Sequence, residues 1–269
     1  MIGLRFLCLA IGYVFGMFQT AYILGRIKGI DIRNYGSGNA GTTNAIRVLG
    51  TKAGLIVFIG DLLKSLLALL LVGALFGKSH PEAIYLLKSW TFAGVVLGHD
   101  YPFYMHFKGG KGVAVMAGFV FGYHWSFLPI ALVEFFVPYL TTHFVSLGSL
   151  MTYAGTFALM VVEGQQGIFT GTSQLALIEM YVIQFLLTFM AFYRHKENIG
   201  RLSRGEERQT FLFKKNTEHL DLNSVKKEAG KAESAKNSAK NSAENSADNS
   251  AENGADKGTE NGAEDSAER

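Results

Sequence analysis

The sequence predicts an all-α integral membrane protein, and three observations support that class. Apolar runs of membrane-spanning length recur through residues 1–215. The loops between these runs differ strongly in their content of basic residues. Residues 216–269 contain no aromatic side chain and few apolar ones other than alanine. We therefore predict a helix bundle of seven, or alternatively five, transmembrane helices, followed by a disordered C-terminal tail.

The chain divides into two expected domains that differ in charge and complexity. Residues 1–215 hold 18 Lys and Arg against 10 Asp and Glu, whereas residues 216–269 hold 7 against 12. The basic first part is the expected polytopic transmembrane domain. From Ala235 the second part repeats four-residue units such as Ala-Lys-Asn-Ser, which bury too little apolar surface to fold. We expect residues 216–269 to form a low-complexity, disordered cytoplasmic tail.

The apolar runs give the positions of the expected spans. A short run covers residues 84–98, and residues 113–141 are apolar but interrupted around Tyr123, His124 and Pro129. That interruption indicates either one kinked helix or two short helices. The 50 residues from 113 to 162 fit three short crossings, which favours seven spans over five. The four clear spans are residues 2–24, 53–76, 144–162 and 175–193.

Charge in the loops orients the expected spans. Loop 25–52 holds five basic residues, loop 99–112 holds Lys108 and Lys111, and loop 163–174 holds none. Segment 194–215 holds seven basic residues. Loop 77–88 holds Lys78 and Lys88, partly offset by Glu82. The positive-inside rule places the three basic segments on the cytoplasmic side and loops 77–88 and 163–174 outside, so we expect the N-terminus outside and the C-terminus inside.

The first basic loop carries glycines and hydrogen-bond donors between Tyr35 and Arg47. Glycine lets backbone N–H groups curl around an anion, and a helix that begins near residues 42–44 would add positive potential. Arg47 would supply a permanent charge for phosphate. Gly36-x-Gly38-x-x-Gly41 also matches a dinucleotide-binding fingerprint, but a membrane span precedes it where that fold needs a strand. We therefore reject a dinucleotide site.

Two further polar clusters lie in the other basic segments. Lys108-Gly-Gly-Lys-Gly112 resembles a phosphate cradle without matching the nucleotide-binding P-loop pattern. His195 and Asn198 are three residues apart, so we expect them to share a helix face and to bind a hydroxyl.

Asp61 and Lys64 also share a face within an apolar run, where charge is costly, and we expect them to be paired.

Together these motifs resemble the bacterial acyl-phosphate:glycerol-3-phosphate acyltransferases, the PlsY family, over about residues 1–210. The resemblance implies transfer of a fatty acyl group from acyl phosphate to the 1-hydroxyl of glycerol 3-phosphate. The products would be 1-acylglycerol 3-phosphate (lysophosphatidic acid) and phosphate, in the first step of phospholipid biosynthesis. The matching segments are residues 37–44 with Arg47, residues 98–99 with 107–114, residues 145–149, and residues 195–207.

The resemblance also implies the partners and the location. The expected partners are glycerol 3-phosphate, acyl phosphate and membrane lipid, and we expect no cofactor, no metal and no nucleic acid. The expected location is the bacterial inner membrane, with a multi-pass chain and an active site on the cytoplasmic side.

On this hypothesis, positioning and charge stabilisation carry most of the catalysis. Arg47 and a lysine, Lys111 in preference to Lys108, would hold the glycerol phosphate. Backbone N–H groups of residues 36–43 and 109–112, with Ser37 and Thr43, would hold the acyl phosphate. The expected catalytic residues are Asn198, His195 and Ser37, and the expected substrate-binding residues are Arg47, Lys111, Lys108, Gly38, Asn39, Gly41, Thr42, Thr43, Asn44, Gly109, Gly110, Gly112, Ser146, Ser149, Arg201 and Glu207.

Two other functional classes are compatible with parts of the sequence. Broken helices and glycine-rich loops also build transporter sites, although those sites usually lie near mid-membrane and accompany internal repeats. The repetitive tail would suit an interaction scaffold, but its composition is that of ordinary low-complexity disorder. Both alternatives are less specific than three ordered motifs on one membrane face.

Overall fold

The computed structural model describes residues 1–211, and within that range it contains helices and turns but no strand. The all-helical class is therefore confirmed for the described part of the chain. The predicted tail, residues 216–269, lies outside the described residues. The helices are α1 Ile2–Gly16, α2 Thr20–Ile27, α3 Thr42–Leu49, α4 Thr51–Phe76, α5 Ile84–Asp100, α6 Val113–Tyr123, α7 Phe127–Thr142, α8 Val145–Gln165, α9 Gln174–Arg194 and α10 Lys196–Ser203.

In the described part of the chain, four helical stretches are long and apolar enough to cross a membrane: Ile2–Ile27, Thr51–Phe76, Val145–Gln165 and Gln174–Arg194. The shorter helices α5, α6 and α7 complete the bundle. Residues 124–126 separate α6 from α7, so the interrupted run forms two short helices rather than one kinked helix. Three helices thus occupy residues 113–165, which is the arrangement on which the seven-span prediction rests.

The first expected span differs from the prediction because it is broken between α1 and α2. The break leaves backbone carbonyls inside the bundle, where each needs a donor because lipid supplies none. Lys64 Nζ donates to the carbonyl of Phe18 at 2.7 Å. The buried Gln19 side chain bridges the break to α5, since its Nε2 donates to the carbonyl of His99 at 2.8 Å. Polar side chains therefore stabilise this break.

The short helix α6 ends inside the bundle by a similar device. Lys88, on α5, donates from Nζ to the carbonyls of Gly122 at 2.8 Å and Tyr123 at 3.3 Å. A positive charge at a helix C-terminus also complements the helix dipole. Lys88 was expected in an outer loop, and the structure instead places it within α5, capping α6.

Helices α1 and α5 pack through two facing glycine pairs, Gly12 with Gly16 and Gly94 with Gly98. A Cβ atom on any of these glycines would collide with the backbone of the facing helix, and for Gly94 the obstacle is the carbonyl of Leu9. Such spacing of small residues lets membrane helices approach closely. The contact holds α5 in place near its end, and the loop that carries the Lys108–Gly112 motif follows α5 in the chain.

This packing predicts that two glycine-to-alanine substitutions differ in their effect on stability. Gly94→Ala should lower stability by about 1–3 kcal/mol, since its methyl group meets backbone that cannot move aside. Gly73→Ala is the matched control in α4, because the nearest atom to a new Cβ there is Lys88 Cε at 3.7 Å. Thermal unfolding of the purified proteins in detergent would measure both, and equal melting temperatures would contradict the packing argument.

Candidate active site

One cavity of about 660 Å³ connects the three predicted motif regions. Its polar lining comes from the loop before α3, the start of α8 and the segment around α10, and its apolar lining comes from α4, α6 and α7. The predicted site residues that line the cavity are Ser37, Asn39, Gly41, Thr42, Thr43, Asn44, Arg47, Lys111, Ser146, Ser149, His195, Asn198, Arg201 and Glu207. Those that do not line it are Gly38, Lys108, Gly109, Gly110 and Gly112.

Asn44 shapes the first loop. Its Oδ1 accepts the backbone N–H of Ser37 at 2.8 Å, and its Nδ2 donates to the carbonyls of Ile32 at 3.2 Å and Tyr35 at 3.0 Å. Gly36 turns beside it with a φ of 62°, and a Cβ there would strike Asn44 Oδ1. The Ser37 N–H is thus already occupied, and a substrate contact by Asn44 would require breaking these bonds.

Helix α3 begins at Thr42, close to the predicted start, and presents its N-terminus to the cavity. The first N–H groups of a helix have no partner within the helix and attract anions. The Oγ1 atom of Thr42 is buried and has no hydrogen-bond partner among residues 1–211. One turn later, Arg47 Nη2 donates to Thr210 Oγ1 at 3.1 Å, and the side chain lines the cavity. This end of α3 offers a positive surface with hydroxyl groups.

The second loop offers fewer free N–H donors for an anion than expected. The N–H groups of Gly109 and Gly110 donate to the carbonyls of Asp100 and His99, both at 3.0 Å. In this arrangement these two N–H groups are not available for the predicted phosphate cradle, because their hydrogens are already engaged. Lys108 is exposed and does not line the cavity.

Lys111 is the lysine of this loop that reaches the cavity. Its Nζ donates to Asn198 Oδ1 at 2.6 Å. Burial lowers the pKa of Lys111 below its ordinary value, and the charges of Arg194 and Arg201 lower it further, whereas Glu197 and Glu207 oppose the shift. A partly buried cation beside a cavity is well placed to gain from an anionic ligand.

His195 lies at the junction of α9 and α10, so the expected shared helix face with Asn198 is not formed. Both residues nevertheless line the same cavity. The His195 Nδ1 atom lies 2.7 Å from the carbonyl of Ala191. Because a carbonyl only accepts, Nδ1 carries the hydrogen and Nε2 is the acceptor of the neutral ring. Burial lowers the pKa of His195 to about 4, and the charge of Lys111 contributes, so the ring is neutral at pH 7.

Glu207 joins the polar side chains of the cavity. Its Oε1 accepts from Ser146 Oγ at 2.8 Å and from Asn198 Nδ2 at 2.7 Å, and its Oε2 accepts from Arg201 Nε at 2.9 Å. With the bond from Lys111 to Asn198, one hydrogen-bonded chain joins the second loop, the segment around α10 and the start of α8. A carboxylate repels phosphate, so this position suits orientation of neighbours better than the predicted direct contact with substrate.

The predicted pair of Asp61 and Lys64 is formed, and His99 joins it; Asp61 and His99 both line the cavity. Lys64 Nζ is 2.8 Å from Asp61 Oδ1 and 2.9 Å from His99 Nδ1, in addition to its bond to Phe18. All three ammonium hydrogens therefore have acceptors. Within residues 1–211, no group of three or more His, Cys, Asp or Glu side chains is arranged to hold a metal ion.

Several cavity residues were not predicted. Tyr153 donates from its hydroxyl to the carbonyl of Gly112 at 3.0 Å, and it lies one turn beyond the matching residues 145–149 of α8. Thr210 lies beyond the last predicted position, yet Tyr139 donates to its carbonyl at 3.0 Å. Only the sequence neighbourhood of Glu207 could have indicated Thr210, since no periodic pattern marks residues 204–211.

Comparison with known proteins connects this arrangement to one family. The sequence model of glycerol-3-phosphate acyltransferase matches residues 6–205. A glycerol-3-phosphate acyltransferase of Bacillus cytotoxicus is 38% identical over 213 residues, which cover 79% of this chain and 98% of the relative. One of Aquifex aeolicus is 36% identical over 202 residues, which cover 72% of this chain and 93% of the relative.

Two crystal structures of PlsY, an integral membrane glycerol 3-phosphate acyltransferase, share the fold. The glycerol 3-phosphate form aligns with a TM-score of 0.66 and 31% identity, covering 78% of this chain and 99% of that chain. The lysophosphatidic acid form aligns with a TM-score of 0.64 and 30% identity, covering 77% and 96%. The chain is therefore a multi-pass membrane protein that belongs to the glycerol-3-phosphate acyltransferase family represented by PlsY.

Proposed function

We propose that this protein transfers a fatty acyl group from acyl phosphate to the 1-hydroxyl of glycerol 3-phosphate. The products are 1-acylglycerol 3-phosphate (lysophosphatidic acid) and inorganic phosphate, and the reaction begins phospholipid synthesis. The observation that carries the proposal is a single cavity that joins a cationic, donor-rich surface to an apolar surface between helices. Family membership supports the acceptor substrate, and the two PlsY structures were obtained with glycerol 3-phosphate and with lysophosphatidic acid.

Two cationic groups suit the phosphate of glycerol 3-phosphate. Arg47 lines the cavity but is only 8% exposed, so its planar guanidinium has little contact with bulk water. Lys111 lies beside Asn198 on the facing loop. We assign the acyl phosphate to the N-terminus of α3, where Ser37, Thr42 and Thr43 add hydroxyl donors. Gly109, Gly110 and Lys108 have no direct role in this assignment.

His195 and Asn198 would orient the attacking hydroxyl. Its oxygen forms a bond to the acyl carbonyl carbon, and the bond from that carbon to the phosphate oxygen breaks. The hydroxyl proton passes to His195 Nε2 or to the departing phosphate. Orientation of this kind can lower a barrier by about 7–11 kcal/mol, and each preorganised donor at the developing oxyanion adds about 3 kcal/mol.

The apolar part of the cavity suits the acyl chain. It is lined by side chains of α4, α6 and α7, including Phe58, Phe121 and Leu132. A chain lying there would enter from the bilayer while its carbonyl meets the polar surface. We place this surface on the cytoplasmic side, with the N-terminus outside, because all three basic segments meet at the cavity. Residues 1–215 would suffice for the reaction.

The donor and the orientation can be tested together in sealed membrane vesicles from expressing cells. Labelled glycerol 3-phosphate should enter extractable lipid in inverted vesicles given acyl phosphate, but not when acyl-CoA or acyl carrier protein thioester replaces it. Right-side-out vesicles should give no product, since the charged acceptor does not cross the bilayer. Asn198→Ala vesicles are the matched control.

Three results of this experiment would count against the proposal. Product formed only from a thioester would refute the donor. Equal product in right-side-out vesicles would refute the orientation. Accumulation of unmodified glycerol 3-phosphate inside vesicles would identify a transporter.

The two lysines of the second loop should differ in their effect on activity. Lys111→Ala should lower kcat/KM for glycerol 3-phosphate by about 10- to 100-fold, since a hydrogen bond to a buried charge is lost. Lys108→Ala should change it less than about threefold, because an exposed cation contributes little. Steady-state assays of both variants in detergent would decide, and equal losses would contradict the assignment.

The neutral state of His195 can be measured directly. NMR titration of labelled histidine should show His195 protonating near pH 4, well below the ordinary 6.5, because burial disfavours the charged ring. Since the unfolded chain takes up this proton at higher pH, the stability due to neutral His195 is present above about pH 6.5 and is lost towards pH 4. His195→Gln identifies the resonance, and a midpoint near 6.5 would contradict the lowering of the His195 pKa by burial.

A further inference from the structure

Arg194, the last residue of α9, donates hydrogen bonds to the second loop from outside the cavity. Its Nη2 atom donates to the carbonyl of Gly110 at 2.6 Å and to that of Gly109 at 3.2 Å. Its guanidinium lies over the ring of Tyr101, 5.3 Å from the centroid. Arg194 is not among the residues that line the cavity. It therefore contacts the loop rather than the space that a substrate would occupy.

The other edge of the same loop is held by the end of α5. The N–H groups of Gly109 and Gly110 donate to the carbonyls of Asp100 and His99. A Cβ on Gly109 would meet the carbonyl of His99, and a Cβ on Gly110 would meet its imidazole. The two peptide groups are thus bonded on both edges, through N–H on one side and through C=O on the other. Such a loop has little freedom to shift.

Charge explains why an arginine is accepted at this position. Asp100 is 1% exposed, and neither carboxylate oxygen has a hydrogen-bond partner among residues 1–211. Its Oδ2 lies 3.9 Å from Arg194 Nε, which is an ion-pair distance. In its ionised form, the Asp100 carboxylate attracts the guanidinium and offsets the repulsion between the guanidinium and the nearby Lys111 ammonium.

We propose that Arg194 is a positioning residue that fixes Lys111 for the phosphate of glycerol 3-phosphate. Lys111 follows Gly110 directly, and Asn198 follows Arg194 by four residues, so Arg194 connects both partners of the bond between Lys111 and Asn198. The planar fork of arginine reaches two carbonyls from one nitrogen, whereas the flexible ammonium of lysine lacks that preorganised geometry. This inference rests on the proposed function, which gives Lys111 its ligand.

Kinetics of two variants test the proposal. Arg194→Gln should raise the KM for glycerol 3-phosphate by about tenfold or more, with a smaller change in kcat, because charge-assisted bonds that place Lys111 are lost. Arg194→Lys should give an intermediate KM. The matched control is Arg5→Gln, which removes a 2.6 Å ion pair with Glu179 in another part of the bundle. That variant should lower the melting temperature but leave KM unchanged.

Hydrogen exchange at the loop supplies a readout that needs no catalysis. Arg194→Gln should speed exchange of the Gly109 and Gly110 amides without affecting residues 36–44, and Arg5→Gln should leave both regions unchanged. If Arg194→Gln does not fold, Arg194→Lys carries both measurements. Unchanged KM together with unchanged exchange in a folded variant would overturn the proposal.

The two hypotheses fail in different ways. If the wild-type protein acylates no glycerol 3-phosphate, the proposed function fails. Faster hydrogen exchange in Arg194→Gln, confined to residues 108–112, would still show that Arg194 holds the second loop in place. If the wild type is active and Arg194→Gln loses thermal stability with an unchanged KM, Arg194 is a structural residue only. That second outcome overturns the positioning role and leaves the proposed function standing.

Discussion

The carboxylate of Glu207 connects the polar side chains of the cavity, because several of them donate hydrogen bonds to it. It accepts hydrogen bonds from Ser146 of α8 and from Asn198 and Arg201 of α10. Asn198 in turn accepts from Lys111, so the cation of the second loop depends on the same carboxylate. Arg47 of α3 is linked to the same part of the chain, since its Nη2 donates to Thr210 Oγ1, three residues after Glu207.

A second constraint is the need to satisfy backbone groups wherever a helix stops within the bundle. Within the described bundle, helices stop between α1 and α2 and at the end of α6. The buried Lys64 supplies a donor to a free carbonyl at the first break, and the half-buried Lys88 supplies donors at the second. These two lysines explain how a membrane-embedded bundle tolerates the helix ends.

The sequence predicted the parts of this protein that follow from composition and local motifs. The apolar runs gave the helices, the start of α3 was placed correctly, and the pairing of Asp61 with Lys64 was anticipated. Local patterns do not reveal which partner a backbone group chooses across the fold. The Gly109 and Gly110 N–H groups looked available for phosphate, and only the fold shows that α5 already occupies them.

Other features escaped prediction because their signal lies in pairs of distant segments. The facing glycines of α1 and α5 have meaning only when both helices are considered together. The capping role of Lys88 could not be read from its neighbourhood, because its acceptors, the carbonyls of Gly122 and Tyr123, are more than thirty residues away. The role of Thr210 depends on Tyr139 and Arg47, which no motif joins to it.

The position of residues 207–211 has a consequence for biosynthesis. This segment follows α10 and lies along the junction of α7 and α8, where the Thr210 N–H donates to the carbonyl of His143 at 3.0 Å. Glu207 and Thr210 come after α1 to α10 in the chain, so a nascent chain inserting from its N-terminus lacks both residues until those ten helices have been synthesised. The hydrogen bonds from Ser146, Asn198 and Arg201 to Glu207 therefore form only after translation has passed α10.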